Sequence, residues 1–145
     1  ILMIGDGYLK PELIEKSNKK NTIFIPKISK SQVQTILKSV EVCFIGRNNT
    51  PLFDYGVSSN KYFDYMLNSK PILASTRKIN DPVEQSGCGI MVEPDNAQAI
   101  ADGIEKLFNM AQDEREKLRK KGYDFVKIYH NFDYLSDLYI EVFNS

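Results

Sequence analysis

The chain has 145 residues, enough to bury a core as one domain, and 42% apolar with 26% charged residues is ordinary for a globular protein. A formal net charge of zero gives no electrostatic case for nucleic acid or for a strongly anionic membrane surface. No apolar run approaches the ~18 residues a membrane-crossing helix needs, and no signal peptide opens the sequence.

In chain order, Ile1 to Ile4 is a continuous apolar run that reads as a buried strand, ending in the turn Gly5-Asp6-Gly7. Because it reads as a strand already under way, the expectation is a piece of something longer. Pro11 suits the first turn of a helix with Leu13 and Ile14 inward, and Ser17 to Asn21 ends it. Thr22 to Ile25 is a second strand stopped by Pro26, and a helix follows from about Ser31 with Val33, Ile36, Leu37 and Val40 on one face. Glu41 to Ile45 is the third strand. Gly46 to Val57 forms a loop long for an α/β connection, and such loops tend to carry function.

The next helix has Phe63, Met66 and Leu67 as its inward face. Strand four is Pro71 to Ala74, a short helix runs from Asp81-Pro82 to Ser86-Gly87, and Cys88 to Val92 is strand five. Asp95 reads as the cap of a helix with Ala97, Ile100, Ala101, Ile104, Leu107 and Phe108 along one face. Helical stretches from about Asp113 to Tyr129 and Phe132 to Phe143 close the chain. Short apolar strands alternating with helices predict an α/β fold, a parallel sheet covered by helices on both faces. Ligands of such sheets bind beyond the carboxyl ends of the strands. The two cysteines, Cys43 and Cys88, fall in apolar runs and read as reduced, buried side chains.

The stretch from Phe53 to Met66 is the strongest candidate for chemistry. Gly56 can take a positive φ, and Ser58 or Ser59 can cap the helix that follows. The free N–H groups and positive dipole end of that helix suit a phosphate. Asp64, one to two turns in, is near enough to accept hydrogen bonds from a sugar hydroxyl. It reads as a ligand or a buried acceptor. At the same sheet edge, Gly5 and Gly7 read equally as a tight turn or a ligand-lining loop. Lys27 is a solvated lysine or a ligand contact, and Arg47 an exposed loop charge or a phosphate contact. His130 is the single histidine and reads as a capping or packing residue, with no nucleophile near it in sequence. No Cys/His cluster has metal-ligand spacing.

The order of segments resembles the carboxy-terminal, donor-binding domain of family-four retaining glycosyltransferases, which have the two-domain GT-B fold. Ile4-Gly5-Asp6-Gly7 is similar to that family's strand and glycine-rich turn, and Thr22 to Lys27 to the strand and loop facing the nucleobase. Lys61-Tyr62-Phe63-Asp64-Tyr65-Met66-Leu67-Asn68-Ser69-Lys70-Pro71-Ile72 resembles its acidic segment, followed by Glu84, Gly89, Val92-Glu93-Pro94 and the pattern from Asn96 to Leu107. The resemblance implies the carboxyl half of a GT-B fold, with a Rossmann-like sheet. The substrate would be a nucleotide-sugar, most simply a UDP-sugar, handled without a metal or other cofactor. Of the family's two glutamates, Asp64 matches the one that binds the ribose, whereas Gly56 stands where the other would be. The run Tyr55-Gly56-Val57-Ser58-Ser59-Asn60-Lys61 resembles a branch that builds bacterial surface polysaccharides such as capsule or lipopolysaccharide, often with aminosugar donors. There its backbone amides would cradle the diphosphate and donor sugar.

Further expectations follow from the same resemblance. An acceptor domain and an arginine–lysine pair would precede this chain, which alone would bind nucleotide weakly and transfer no sugar. The last helices, including Phe132 and Tyr134, would cross back to the acceptor domain. The whole enzyme would be cytoplasmic, at the inner membrane face if peripherally bound. Two other readings stand beside it: a non-catalytic nucleotide-sensing or protein-interaction domain on the same kind of sheet, and a sugar-nucleotide 2-epimerase of the same architecture.

Overall fold

The computed structural model describes residues 1–18, 20–55 and 59–144 in two compact units, residues 1–36 and 37–145. In the first, strand β1 (Leu2–Ile4) pairs in parallel with β2 (Ile23–Ile25), Leu2 opposite Ile23 and Ile4 opposite Ile25. Helix α1 (Lys10–Lys16), with Pro11 in its first turn, connects them. The run from Ile1 to Ile4 was expected to be buried, yet Leu2, Met3 and Ile4 are each about 40% exposed. A two-stranded ribbon beside a seven-residue helix that buries none of its own residues has little with which to cover a strand.

Helix α2 (Lys30–Ser39) contains the boundary between the units and buries only Leu37. The second unit is built on β3 (Cys43–Gly46), β4 (Ile72–Ser75) and β5 (Gly89–Val92), a parallel sheet in the order β3-β4-β5. Cys43 lies opposite Ile72, and Ile72 opposite Gly89. Helices α3 (Asn60–Leu67), α4 (Pro82–Ser86), α5 (Ala97–Asn109), α6 (Gln112–Tyr129) and α7 (Phe132–Asn144) complete it, with a 3-10 turn at Pro51–Tyr55 inside the loop after β3.

All four residues of β4 are buried, the pattern of a central strand covered on both faces. Ile45, Ile72 and Ala74 point to one face, where Tyr62 and Met66 of α3, Val83 of α4, Cys88 and Val126 of α6 close the core. Leu73 and Val92 point to the other, against Gly103 of α5. The inward face of α3 is thus Tyr62 and Met66, both fully buried, with Phe63 and Tyr65 at its margin; Leu67, expected inward, is exposed. Met66 and Leu67 differ by about 100° around the helix, so Tyr62 and Met66, four apart, take the same face and leave Leu67 outside it.

Two helix ends differ from expectation in an informative way. The cap of α5 is Asn96, whose side-chain oxygen accepts from the Ala99 amide at 3.0 Å, not Asp95. Asp95 has φ +59°, the wrong conformation for a cap, and its carboxylate instead accepts from the Asn49 amide at 2.8 Å. Ser59 does stand at the N-cap of α3, in extended conformation, but its side chain makes no capping bond.

Both cysteines are buried free thiols, and burial raises them to about 12 at Cys43 and about 11 at Cys88, far from the thiolate range that confers reactivity. His130 caps α6, donating its backbone N–H to the Val126 carbonyl at 3.0 Å, and its ring packs on Phe63 and Phe125, as a packing residue should. The acidic-basic run of α6 is a solvated face, with Lys117 paired to Asp113 and Lys120 to Asp124 at i, i+4 spacing.

A Cβ on Gly89 would lie 1.8 Å from the Ile72 carbonyl oxygen, a backbone atom of the paired strand that cannot move aside. Gly89→Ala is expected to cost at least about 2 kcal/mol of unfolding free energy in urea titrations. Burial lowers the His130 pKa below its unfolded value of 6.5. The unfolded chain therefore binds the extra proton first, and stability present above pH ~6.5 is lost as pH falls from that value through the lower folded pKa. His130→Phe should flatten the unfolding free energy between about pH 6.5 and 5, the interval below which carboxylates take over.

Candidate functional site

In the first unit, the turn after β1 and the turn after β2 are joined through Asp6. Its carboxylate accepts from Lys10 Nζ at 2.9 Å and from the Lys27 backbone amide at 2.7 Å, and these bonds, Lys10's first, hold it below the usual carboxylate range. Lys10 also reaches the Ile25 carbonyl at 3.2 Å. Gly5 has φ +148°, a conformation that L side chains rarely adopt, and donates its amide to Ile25. Gly7 has an ordinary φ and open space where a Cβ would be. Gly5, Gly7 and Lys27 thus lie together at the carboxyl ends of β1 and β2. The Lys27 amide is engaged by Asp6 and its side chain is exposed.

The second unit places Arg47, Tyr55, Ser59, Asn60, Lys61 and Asp64 on the segment that leaves the carboxyl end of β3 and runs into α3. Gly56, Val57 and Ser58 lie outside the described residues. Tyr55, Asn60 and Lys61 are exposed, Ser59 and Asp64 half-buried. Asp64 is the fifth residue of α3, and its backbone carbonyl accepts both the amide and the side-chain Nδ2 of Asn68, fixing the far end of the helix. Arg47 lays its guanidinium 4.8 Å from the centroid of the Phe53 ring and 5.7 Å from that of Tyr62. Its Nε is buried without a hydrogen-bond partner.

Behind Arg47 sits a network that sequence reading passed over. Asp81, with no exposed surface, accepts from the Tyr62 hydroxyl at 2.6 Å, the Thr76 hydroxyl at 2.8 Å and the Val83 amide at 2.8 Å. Burial first, then the bond to Asp81 and its charge, raise the Tyr62 hydroxyl, while the Arg47 cation opposes them; Tyr62 stays a protonated donor. The part of this that sequence shows is the Asp-Pro helix start, and Asp81 does cap α4. Thr76, the residue after β4, lies only five positions before it, whereas Tyr62 arrives from α3, nineteen positions away.

A second polar group lies where the loops after β3, β4 and β5 meet. Arg77 forks onto the Asp54 carboxylate, Nε at 2.5 Å and Nη2 at 2.9 Å, and its Nη1 donates to the Asn49 side chain at 2.9 Å. Asn80, in left-handed conformation, donates to the Asp54 carbonyl at 2.8 Å. Together with Asp95 on the Asn49 amide, these bonds fasten the segment from Asn49 to Asp54 to the rest of the sheet edge. Among the described residues no group of three or more His, Cys, Asp or Glu is placed to hold a metal, and no helix is long and apolar enough to cross a membrane.

Parallel strands between helices, with polar loops gathered at the carboxyl ends of the strands, define a Rossmann-like α/β domain. The chain belongs to the glycosyl transferases group 1 family, whose model matches residues 1–110. Its fold is similar to that of sucrose-phosphate synthase from Thermosynechococcus elongatus, with a TM-score of 0.75 and 17% identity over 99% of this chain and 38% of that one. It is also similar to WaaG, a glycosyltransferase involved in lipopolysaccharide biosynthesis, with a TM-score of 0.67 and 10% identity over 88% of this chain and 33% of that one. The N-terminal domain of Candida albicans trehalose-6-phosphate phosphatase matches with a TM-score of 0.58 and 15% identity, over 86% of this chain and 30% of that one. The chain therefore spans well under half of each of these three solved chains. Comparison with curated protein sequences finds no match.

Removing the Asp81 carboxylate leaves two hydroxyls and an amide without their buried acceptor. Asp81→Ala is expected to lower unfolding free energy by about 3 kcal/mol, and Tyr62→Phe by about 1–2 kcal/mol. Because they share one acceptor, Tyr62→Phe and Thr76→Ala combined should differ from the sum of the two, measured by denaturant titration.

Proposed function

We propose that this chain is the donor-binding part of a retaining, metal-independent glycosyltransferase that moves a sugar from a nucleoside diphosphate, UDP being the simplest choice, to a surface-polysaccharide or lipid-linked acceptor. The observation that carries the reading is the start of α3 at the carboxyl edge of a parallel sheet, in a chain of the glycosyl transferases group 1 family, with Asp64 just past its first turn. On this reading Asp64 accepts hydrogen bonds from the ribose hydroxyls, and Lys27, Gly5 and Gly7 border the nucleobase. The stretch Tyr55-Gly56-Val57-Ser58-Ser59-Asn60-Lys61 cradles the diphosphate and donor sugar through backbone amides. Arg47 supplies the cation that spreads charge from the departing diphosphate.

The chemistry asked of these residues is modest and electrostatic. Departure of the diphosphate is made easier by donors already aimed at its oxygens, and orientation of donor against acceptor supplies the rest. No residue of the chain is assigned as a general base. The acceptor would be bound by a further domain, against which the last helices, including the exposed Phe132 and Tyr134, would pack. The same exposed face also fits the alternative of a non-catalytic protein-interaction domain, and Asp64 separates the two. The whole enzyme would work in the cytoplasm, at the inner membrane face if it is peripherally bound, and these 145 residues alone would transfer no sugar.

Titration with UDP, GDP and ADP, followed by NMR at Lys27 and Asp64, should show weak binding with UDP preferred. Asp64→Asn should weaken it about tenfold, equivalent to about 1.4 kcal/mol. No perturbation by any of the three at millimolar concentration would overturn the reading. Unchanged UDP affinity in Asp64→Asn would favour the interaction domain.

A further inference from the structure

The fork of Arg77 on Asp54 is more than a surface ion pair in its geometry. Both side chains are only 31% and 24% exposed, and a bidentate guanidinium–carboxylate pair fixes direction as well as distance. The remaining guanidinium nitrogen bonds Asn49, so one side chain grips the segment after β3 at two points five residues apart. Between those points the chain makes its 3-10 turn, from which Phe53 presents its ring to Arg47. Arg47 itself has a buried Nε with no hydrogen-bond partner, so the two ring contacts, with a hydrogen bond to the Tyr62 hydroxyl, orient a cation that the protein's own hydrogen bonds leave partly unanswered.

We propose that Arg77 is a positioning residue which, through Asp54 and Asn49, holds the Phe53 ring under Arg47 and thereby aims the Arg47 guanidinium at the diphosphate of the bound nucleotide. The second half rests on the donor-binding reading above; the first does not. Asp95, which takes the Asn49 amide, and Asn80, which donates to the Asp54 carbonyl, hold the same segment from outside it. A guanidinium is needed at position 77 because three of its N–H groups act at once in a plane, which an ammonium cannot reproduce.

Two measurements test it. Side-chain protons of Arg47 lying over an aromatic ring are shifted upfield by its ring current. Arg77→Gln should return them toward the values of an exposed arginine, as Phe53→Leu should, and the charge-reversed pair Asp54→Arg with Arg77→Asp should restore part of the shift. A shift unchanged in Arg77→Gln overturns the positioning role. In titrations, Arg77→Gln should weaken UDP about tenfold and leave uridine, which has no phosphate, within about twofold.

Combined with Arg47→Gln, Arg77→Gln should add almost nothing, because it acts through a group already removed. A full additional loss, or an equal loss for uridine, overturns the diphosphate assignment. If the parent chain binds neither UDP nor uridine, the donor-binding reading and the diphosphate half fall together, while the ring-current shift still decides the positioning half. Should Arg77→Gln fail to fold, Asp54→Asn, which breaks the same fork at constant size, carries the same expectations.

Discussion

A carboxylate with no exposed surface survives in a protein interior only where its lone pairs are answered, and the second unit is arranged around one such group. Asp81 collects a hydroxyl from α3, a hydroxyl from the residue after β4 and the first free amide of α4. Those bonds tie two helices to the carboxyl end of the central strand. They also fix the Tyr62 ring, which is one of the two surfaces on which Arg47 rests. The candidate site is therefore held from beneath by a fully satisfied buried network, and its exposed residues inherit their positions from it.

Above that network runs the loop after β3, at the edge of a parallel sheet where loops usually carry function. Its free conformational entropy is reduced by bonds to three residues on two neighbouring segments: Arg77 and Asn80 after β4, and Asp95 after β5. None of these partners is a strong interaction singly, since partly exposed ion pairs and hydrogen bonds each contribute about 1 kcal/mol. Their value lies in acting on one short stretch, so that Phe53 and Arg47 are stacked before any ligand arrives. Preorganisation of this kind is what makes an electrostatic site effective.

Much of this was legible in the amino-acid sequence, and the parts that were not share a cause. The alternation of short apolar runs with amphipathic stretches placed every strand and helix within a few residues, because burial on both faces of a parallel strand needs an unbroken apolar run. The Asp-Pro start of α4 was readable because a cap acts within three residues of itself. Asp95 was not: a cap at 95 or at 96 is equally plausible locally, and it is the distant Asn49 amide that draws the Asp95 carboxylate away. Leu67 illustrates a smaller version of the same problem, since period alone does not say which of two adjacent apolar residues the sheet will cover. The strand at Ile1 to Ile4 was read as buried from its composition, whereas its exposure depends on what neighbours it has.

Local chemistry thus determined from sequence that this is an α/β chain with parallel strands, a helix start at the carboxyl edge of the sheet, and one carboxylate, Asp64, just inside that helix. Those features depend on hydrophobic period, turn residues and capping, all of which act over a few positions. Tertiary structure alone decided that Tyr62 and Thr76 share the buried Asp81, that Arg77 grips Asp54 and Asn49, and that Arg47 is stacked on Phe53. Apart from the short reaches from Arg47 to Phe53 and from Thr76 to Asp81, those pairings join residues brought together only when the sheet closes. Their energies come from desolvated geometry, which no single stretch of sequence contains.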